Sequence, residues 1–240
     1  MKIIWFLFFS VSLFAQKPVL EVKIDSIHFD DSNSKVRKYF IDYHIENLTN
    51  NEVSFVLFPT TLIANTASSM TLYPIYKIYK NGDFEDMDGP FFEAETKEEL
   101  LMQELDFNSK EFKNLIESFK ANRMELREEY YKNYKANGGQ STDVTWIDNN
   151  QKIINSVQTI EPKETKKFTI QTTWNRNRFI KNDDLEYYLN ENENFEFQLI
   201  LDLKKASFKE ALTKEQLDSF MSNPYFIQGF FVSNKVKIEF

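Results

Sequence analysis

Hydrophobic and polar positions alternate with period two over much of the chain. Leu20, Val22 and Ile24 alternate with Glu21, Lys23 and Asp25, and Tyr39, Ile41, Tyr43 and Ile45 with Phe40, Asp42, His44 and Glu46. Successive side chains of a strand point to opposite faces, so each run predicts a half-buried strand. Residues 30–35 (DDSNSK) and 47–52 (NLTNNE) are rich in Asn, Asp and Ser, which favour turns. Residues 53–58 form a short apolar run stopped by Pro59. Pro74 lies inside a further candidate, residues 72–79. Proline cannot donate to a strand ladder, so this segment is expected at a sheet edge. Farther on, Val144 and Trp146 would share a strand face, and residues 153–160 read as another strand. The turn 161–164 (EPKE) leads to Phe168, Ile170, Thr172 and Trp174 on one face. Phe195, Phe197, Leu199, Leu201 and Leu203 make the strongest alternation, and Val236, Ile238 and Phe240 predict a terminal strand that closes a sheet.

The period changes in the middle of the chain. Thr96-x-x-Glu99 has the form of a capping box and predicts a helix through about residue 106. Asn108-x-x-Glu111 opens a second, with apolar positions Phe112, Leu115, Ile116, Phe119, Leu126, Tyr130 and Tyr134 at helical spacing. It should stop at Gly138-Gly139. At ~1.5 Å per residue such a helix is about 40 Å long, more than a strand spans, so part of it should overhang. Its tyrosines, Tyr130, Tyr131 and Tyr134, suit either core packing or a partner surface. Residues 183–189 allow one or two helical turns, and Thr213-x-x-Gln216 caps a short helix that ends before Pro224. The expected fold is mainly β: an antiparallel β-sandwich with a helical insertion at about residues 92–139. The competing architecture is α+β, with the long helix in the central core.

The N-terminus changes the picture of where the protein acts. After Met1-Lys2, residues 3–15 (IIWFLFFSVSLFA) carry no charge, which is the pattern of a secretory signal peptide. The run is shorter than the ~20 apolar residues of a membrane span. Residues 1–15 are therefore expected to be removed, leaving 16–240 as one domain with no transmembrane segment, in the periplasm or outside the cell. No cysteine is present, so neither disulfides nor thiol-bound metals are available. The net charge of -8 argues against a nucleic-acid partner.

Three segments carry a resemblance to a known fold. Residues 41–58 (IDYHIENLTNNEVSFVLF) resemble the strand, Asn-rich turn and strand of immunoglobulin-like domains in exported bacterial proteins. Residues 161–170 (EPKETKKFTI) and the ending GFFVSNKVKIEF resemble late strands of such domains. The resemblance covers the strand-rich parts and implies an immunoglobulin-like β-sandwich. It implies no catalytic residue.

Candidate chemistry is sparse. The loop from Asp83 to Gly89 offers Asp83, Glu85, Asp86 and Asp88 as oxygen ligands for a hard cation such as calcium, or forms a solvated acidic turn. An EF-hand does not fit, because Phe84 would occupy its first ligand position. Trp174, Arg176 and Arg178 project to one side of an extended chain and could bind a sugar, a carboxylate or an acidic loop. Trp146, beside Asp143 and Asp148, could be a carbohydrate platform. The bland alternatives are that both tryptophans are core residues and that the arginines pair with surface carboxylates. His28 and His44 are expected to be structural or surface residues. No phosphate-loop, dinucleotide, zinc-protease or serine-hydrolase motif occurs, and no cofactor is implied.

These observations favour a non-enzymatic binding protein with a protein or glycan partner in the cell envelope. The alternatives are a carboxylate-dependent hydrolase acting on a glycan and a structural envelope component. The N-terminal reading has a direct test: mass spectrometry of exported protein should find the mature chain beginning within a few residues of Gln16. An intact Met1 would contradict it.

Overall fold

The computed structural model describes residues 18–34, 36–64, 72–85, 91, 97–102, 104–136, 138–175 and 192–240. The expected signal peptide and the 183–189 segment lie outside them. Strand residues outnumber helical ones, and the fold is sheet-rich with a few helices. The first sheet has the order β1 (Leu20–Asp30), β2 (Val36–Asn47), β8 (Thr165–Asn175). Both pairings are antiparallel; Leu20 faces Asn47, and Val36 faces Asn175. β1 carries a bulge between Ile24 and Ser26. A two-stranded ribbon joins β3 (Val53–Val56) to β7 (Val157–Ile160).

The second sheet has the order β10 (Gly229–Ile238), β9 (Phe195–Leu203), β5 (Ile75–Lys80), β4 (Ile63–Ala64). β6 (Asp83–Glu85) also pairs with β5, through a tight turn in which Asn81 and Gly82 both have positive φ. That conformation matches the twist of a two-residue hairpin and favours Asn-Gly. β5 has neighbours on both sides, so the expected edge position is not found. The reason is local: Pro74 lies one residue before the strand, where its missing N–H costs nothing, and its carbonyl accepts from Ile63 N–H at 3.1 Å.

The alternating apolar residues of both sheets share one core. Tyr39, Ile41, Tyr43 and Ile45 from β2, Ile170 from β8, and Phe197, Leu199 and Leu201 from β9 are all fully buried. Phe91 and Phe240 bridge the two sheets. Phe91 lies within 5.3–6.1 Å of the rings of Tyr39, Tyr76, Phe197 and Phe240. Phe240 in turn meets Trp174 and Phe195 edge-on. Such edge and offset contacts add to the simple burial of area.

Two polar devices lock the strands. Asn234, in a bulge of β10, accepts the Ile24 N–H at 2.8 Å and donates back to the Ile24 carbonyl at 3.2 Å. A side-chain amide thus ties β1 to β10, which otherwise share no ladder pairing. Arg37 is the second device. It points inward with Tyr39, is 7 % exposed, and forks onto Asp31 at 2.8 and 3.0 Å. Its guanidinium also lies 4.1 Å from the Phe29 ring centroid. Burial opposes its charge, but the hydrogen bonds of Asp31 and Tyr39 outweigh it, so its pKa is raised.

The helices depart further from expectation. α1 (Lys97–Met102) and α2 (Lys110–Ala136) are present, and Ser109 rather than Asn108 caps α2, accepting the Phe112 N–H. The second architecture, with α2 in the core, is not what α2's burial describes: none of its residues is buried, and Leu126 is 62 % exposed. Val144 and Trp146, expected on a strand, and the start of the expected 153–160 strand lie instead in a helix, α3 (Val144–Asn155), and only β7 remains of that strand. Asp143 accepts N–H bonds from Thr145 and Trp146, and Ile147, Asn150 and Ile153 recur on one face and are buried. Cap and period together override the strand-like pair Val144 and Trp146. α4 (Lys214–Ser222) carries the expected capping box between Thr213 and Gln216. No helix of the described residues is long and apolar enough to cross a membrane.

Three substitutions test this packing. Phe197→Ala should cost ~3–5 kcal/mol, whereas Glu196→Gln on the opposite face should stay within ~0.5 kcal/mol. Asn234→Ala should cost ~1–3 kcal/mol by leaving the buried Ile24 groups without partners. Urea denaturation measures all three, and equal losses at 196 and 197 would reverse the assigned faces.

Candidate functional site

The expected site residues do not form one constellation. Trp174 is 8 % exposed and belongs to the core, against Phe240 and within 5.8 Å of the Arg37 guanidinium. Trp146 lies in the helical block, where its indole N–H donates to the Glu210 carbonyl at 2.9 Å. Arg176 and Arg178 lie outside the described residues. So do Asp86 and Asp88 of the acidic loop. Asp83 and Glu85 belong to β6, a strand rather than a loop. Among the described residues no group of three or more His, Asp or Glu is placed to hold a metal ion.

The histidines lie on the outward face of the first sheet. His44 Nδ1 contacts the Asp25 carboxylate at 2.8 Å, and His28 lies 3.6 Å from Asp42 and stacks on Phe40. Thr169 and Ser26 donate to Asp42, and these bonds, led by Thr169 and aided by nearby His28, hold its carboxyl below the usual range despite some burial. No nucleophile is paired with either imidazole, so the cluster reads as cross-strand pairing. The Asn47-Leu48-Thr49 sequon is closed as well: Asn47 is fully buried and donates to the Asn51 and Ile160 carbonyls.

A concave site lies instead among the helices. A cavity of about 710 Å³ opens between the C-terminal end of α2, α3 and the start of α4. That volume falls within the ~300–1,000 Å³ of ligand pockets. Residues on successive turns of α2 build one wall. Arg127 bridges to Asp148 at 2.8 Å, Tyr130 donates to Asn150 Oδ1 at 3.1 Å, and Tyr134 meets Trp146 edge-on at 6.1 Å. The rings of Tyr130 and Tyr134 stack at 6.4 Å. Burial, and then the neighbouring Tyr134, raise the Tyr130 pKa, so its hydroxyl stays a neutral donor.

Asn150 is the keystone of the opposite wall. It is 1 % exposed, and its amide donates to the Ala211 carbonyl at 2.8 Å and to Gln216 Oε1 at 2.7 Å. Glu215 lines the pocket in the first turn of α4. A backbone N–H and the Thr213 hydroxyl hold its carboxyl below the usual range. It is therefore ionised at neutral pH, at the helix end that favours negative charge. Asn133 and Gln140 complete a lining of amides, hydroxyls and two rings. Such a surface offers both donors and acceptors, and Glu215 is the one carboxylate among its described lining residues.

Comparison of the chain with protein-family models, curated proteins and solved structures finds no match in any of the three. Trp146 and the tyrosines of α2 were visible in the sequence as aromatic candidates. Asn150 and Gln216 were not, because Val144 and Trp146 read as a strand pair and because amides carry no signature of their own.

The turn after α2 holds the pocket's shape. Gly138 has φ 85° and Gly139 N–H donates to the Tyr134 carbonyl. A Cβ on Gly139 would come within 2.3 Å of the Tyr134 ring. Gly139→Ala should therefore displace the ring and its bond from Ser141 N–H. A loss of ~1–3 kcal/mol is expected, as for other overpacked sites. Near-UV circular dichroism and thermal melting would read it; an unchanged spectrum and melt would show that Tyr134 has room to move.

Proposed function

We propose that this chain is an exported, non-enzymatic binding module, built on an immunoglobulin-like β-sandwich, whose helical block takes a neutral polyhydroxylated ligand such as a glycan segment. The observation that carries the reading is the pocket in which the rings of Tyr130 and Tyr134 converge with the exposed amides of Asn133 and Gln140, backed by the buried Asn150–Gln216 pair. Aromatic faces accept the apolar faces of sugar rings, and amides pair with vicinal hydroxyls. Antiparallel sheets sharing one core support the sandwich reading. The uncharged run at residues 3–15 supports export.

The hydrolase alternative has less support. Glycoside hydrolysis takes two carboxyl groups ~5–9.5 Å apart, one of them with a raised pKa. The pocket is lined by one carboxylate, Glu215, and its pKa is lowered.

Calorimetric titration with a panel of neutral oligosaccharides tests the proposal. At least one should bind saturably without being cleaved. Tyr134→Ala should weaken that binding about tenfold or more, the equivalent of ~1.4 kcal/mol. No binding across the panel, or binding indifferent to Tyr134→Ala, would overturn it, and release of reducing ends would favour the hydrolase.

A further inference from the structure

Two adjacent rows on the outward face of the second sheet are locally basic in an acidic chain. Tyr76, Ile78, Phe197 and Leu199 are buried in the core, so Lys77 and Tyr79 of β5 and Glu196 and Gln198 of β9 face away from it. Lys235 and Lys237 of β10 are exposed on the same side. The register sets these residues in two rows. Lys77 lies beside Gln198, which lies beside Lys235; Phe84 lies beside Tyr79, then Glu196, then Lys237. Within these two rows three lysines accompany one carboxylate, Glu196, in a chain whose net charge is -8; Asp202, bridged to Lys204, and the exposed Glu239 lie beyond the two rows. Among the described residues none of the three lysines is bridged to a carboxylate.

The aromatic residues fix where those charges stand. Lys235 Nζ lies 3.4 Å from the centroid of the Tyr79 ring, and Lys77 Nζ lies 5.0 Å from that of Phe84. Tyr79 is held in turn by donating to Gln198 Oε1 at 2.8 Å, and Gln198 donates to the Ser233 carbonyl at 2.8 Å. A lysine side chain normally loses considerable rotamer freedom when it engages a ligand. Here ring faces already restrain two of them, so less remains to be lost.

We propose that this face binds a linear, carboxylate-bearing polysaccharide, independently of the helical pocket. Spacing and donor type select that ligand. The backbones at positions 77 and 235 are separated by two inter-strand steps, about 10 Å, and those at 235 and 237 by roughly 7 Å along one strand. Duplex DNA carries a charge every ~1.7 Å, far denser than this array. Among the described residues the two rows carry no arginine, the residue whose planar fork suits phosphate; lysines act as separate point charges. Phe84, 43 % exposed, adds apolar surface for a sugar ring.

Binding of the full chain to oligogalacturonate, measured by biolayer interferometry, tests the proposal. At low salt binding should be saturable, and it should weaken at least tenfold at ~0.5 M salt, where charges are screened beyond a few ångströms. The double variant Lys77→Gln/Lys235→Gln should lower affinity tenfold or more and flatten the salt dependence. Lys209→Gln/Lys214→Gln, elsewhere on the surface, should not. Tyr134→Ala should leave this binding unchanged, so the pocket and the sheet face fail or succeed separately. Circular dichroism checks that the lysine variants stay folded; if the double variant is misfolded, Lys235→Glu replaces it. Absence of salt-sensitive binding, or binding that survives loss of the lysines, would overturn the inference. Tighter binding of a single-stranded oligonucleotide than of oligogalacturonate would overturn its ligand.

Discussion

The aromatic contact of Phe91 with Phe240 is the constraint on which the sheets depend. The last residue of the chain and a residue from the middle of it meet at 5.6 Å between the two inner faces. Each then touches rings from both sheets: Tyr39 and Trp174 on one side, and Tyr76, Phe195 and Phe197 on the other. Without cysteine, no covalent link can hold these strands together. Large, shape-specific side chains are the remaining means of fixing the layer, here Phe91, Phe195, Phe197 and Phe240. Polar closure is added at the rim, where Arg37 reaches the Glu239 carbonyl at 3.2 Å.

The helical block is held together differently. α2 joins α3 through an ion pair, a tyrosine–amide hydrogen bond and an aromatic edge contact, not through buried aliphatic side chains. α3 and α4 have their own small core of Ile153, Phe208, Phe220 and Phe226. A joint of this kind has low apolar area and much exposed backbone, which places it at the less stable end of the structure. It is also where the helical pocket opens, so the proposed pocket lies at a polar joint and the proposed charged face on a sheet packed on an aromatic core.

Most of the sheet was legible in the sequence because alternation reports burial directly. β2, β8 and β9 bury the residues that their patterns singled out. The helix α3 was not legible, because Val144 and Trp146 mimic a strand pair while the decisive cap, Asp143, looks like one more acidic residue. The position of β5 was misread because a proline one residue outside a strand and one inside it look alike. For the candidate sites, the aromatic members were visible and their partners were not. Trp146 could be named, but Asn150 acquires its role only when α2, α3 and α4 are brought together. Arg37 shows the reverse. It shares parity with Tyr39 and Ile41, so its inward direction was written in the pattern, but its charge argued for the surface.

The bulge in β1 works as a frame shift. Up to Ile24 the even-numbered residues Leu20, Val22 and Ile24 face the core. One added residue, Asp25, changes the frame, and Ile27 packs against the core while Phe29 reaches Tyr39. Read in a single frame, the same strand would turn Ser26, His28 and Asp30 inward and expose Ile27 and Phe29. The sequence thus spells two half-strands of opposite phase, and a single-residue deletion at position 25 would set them in conflict. That inserted residue also supplies the carboxylate that meets His44, so one step in the backbone decides both which side chains are dry and how the histidines are paired.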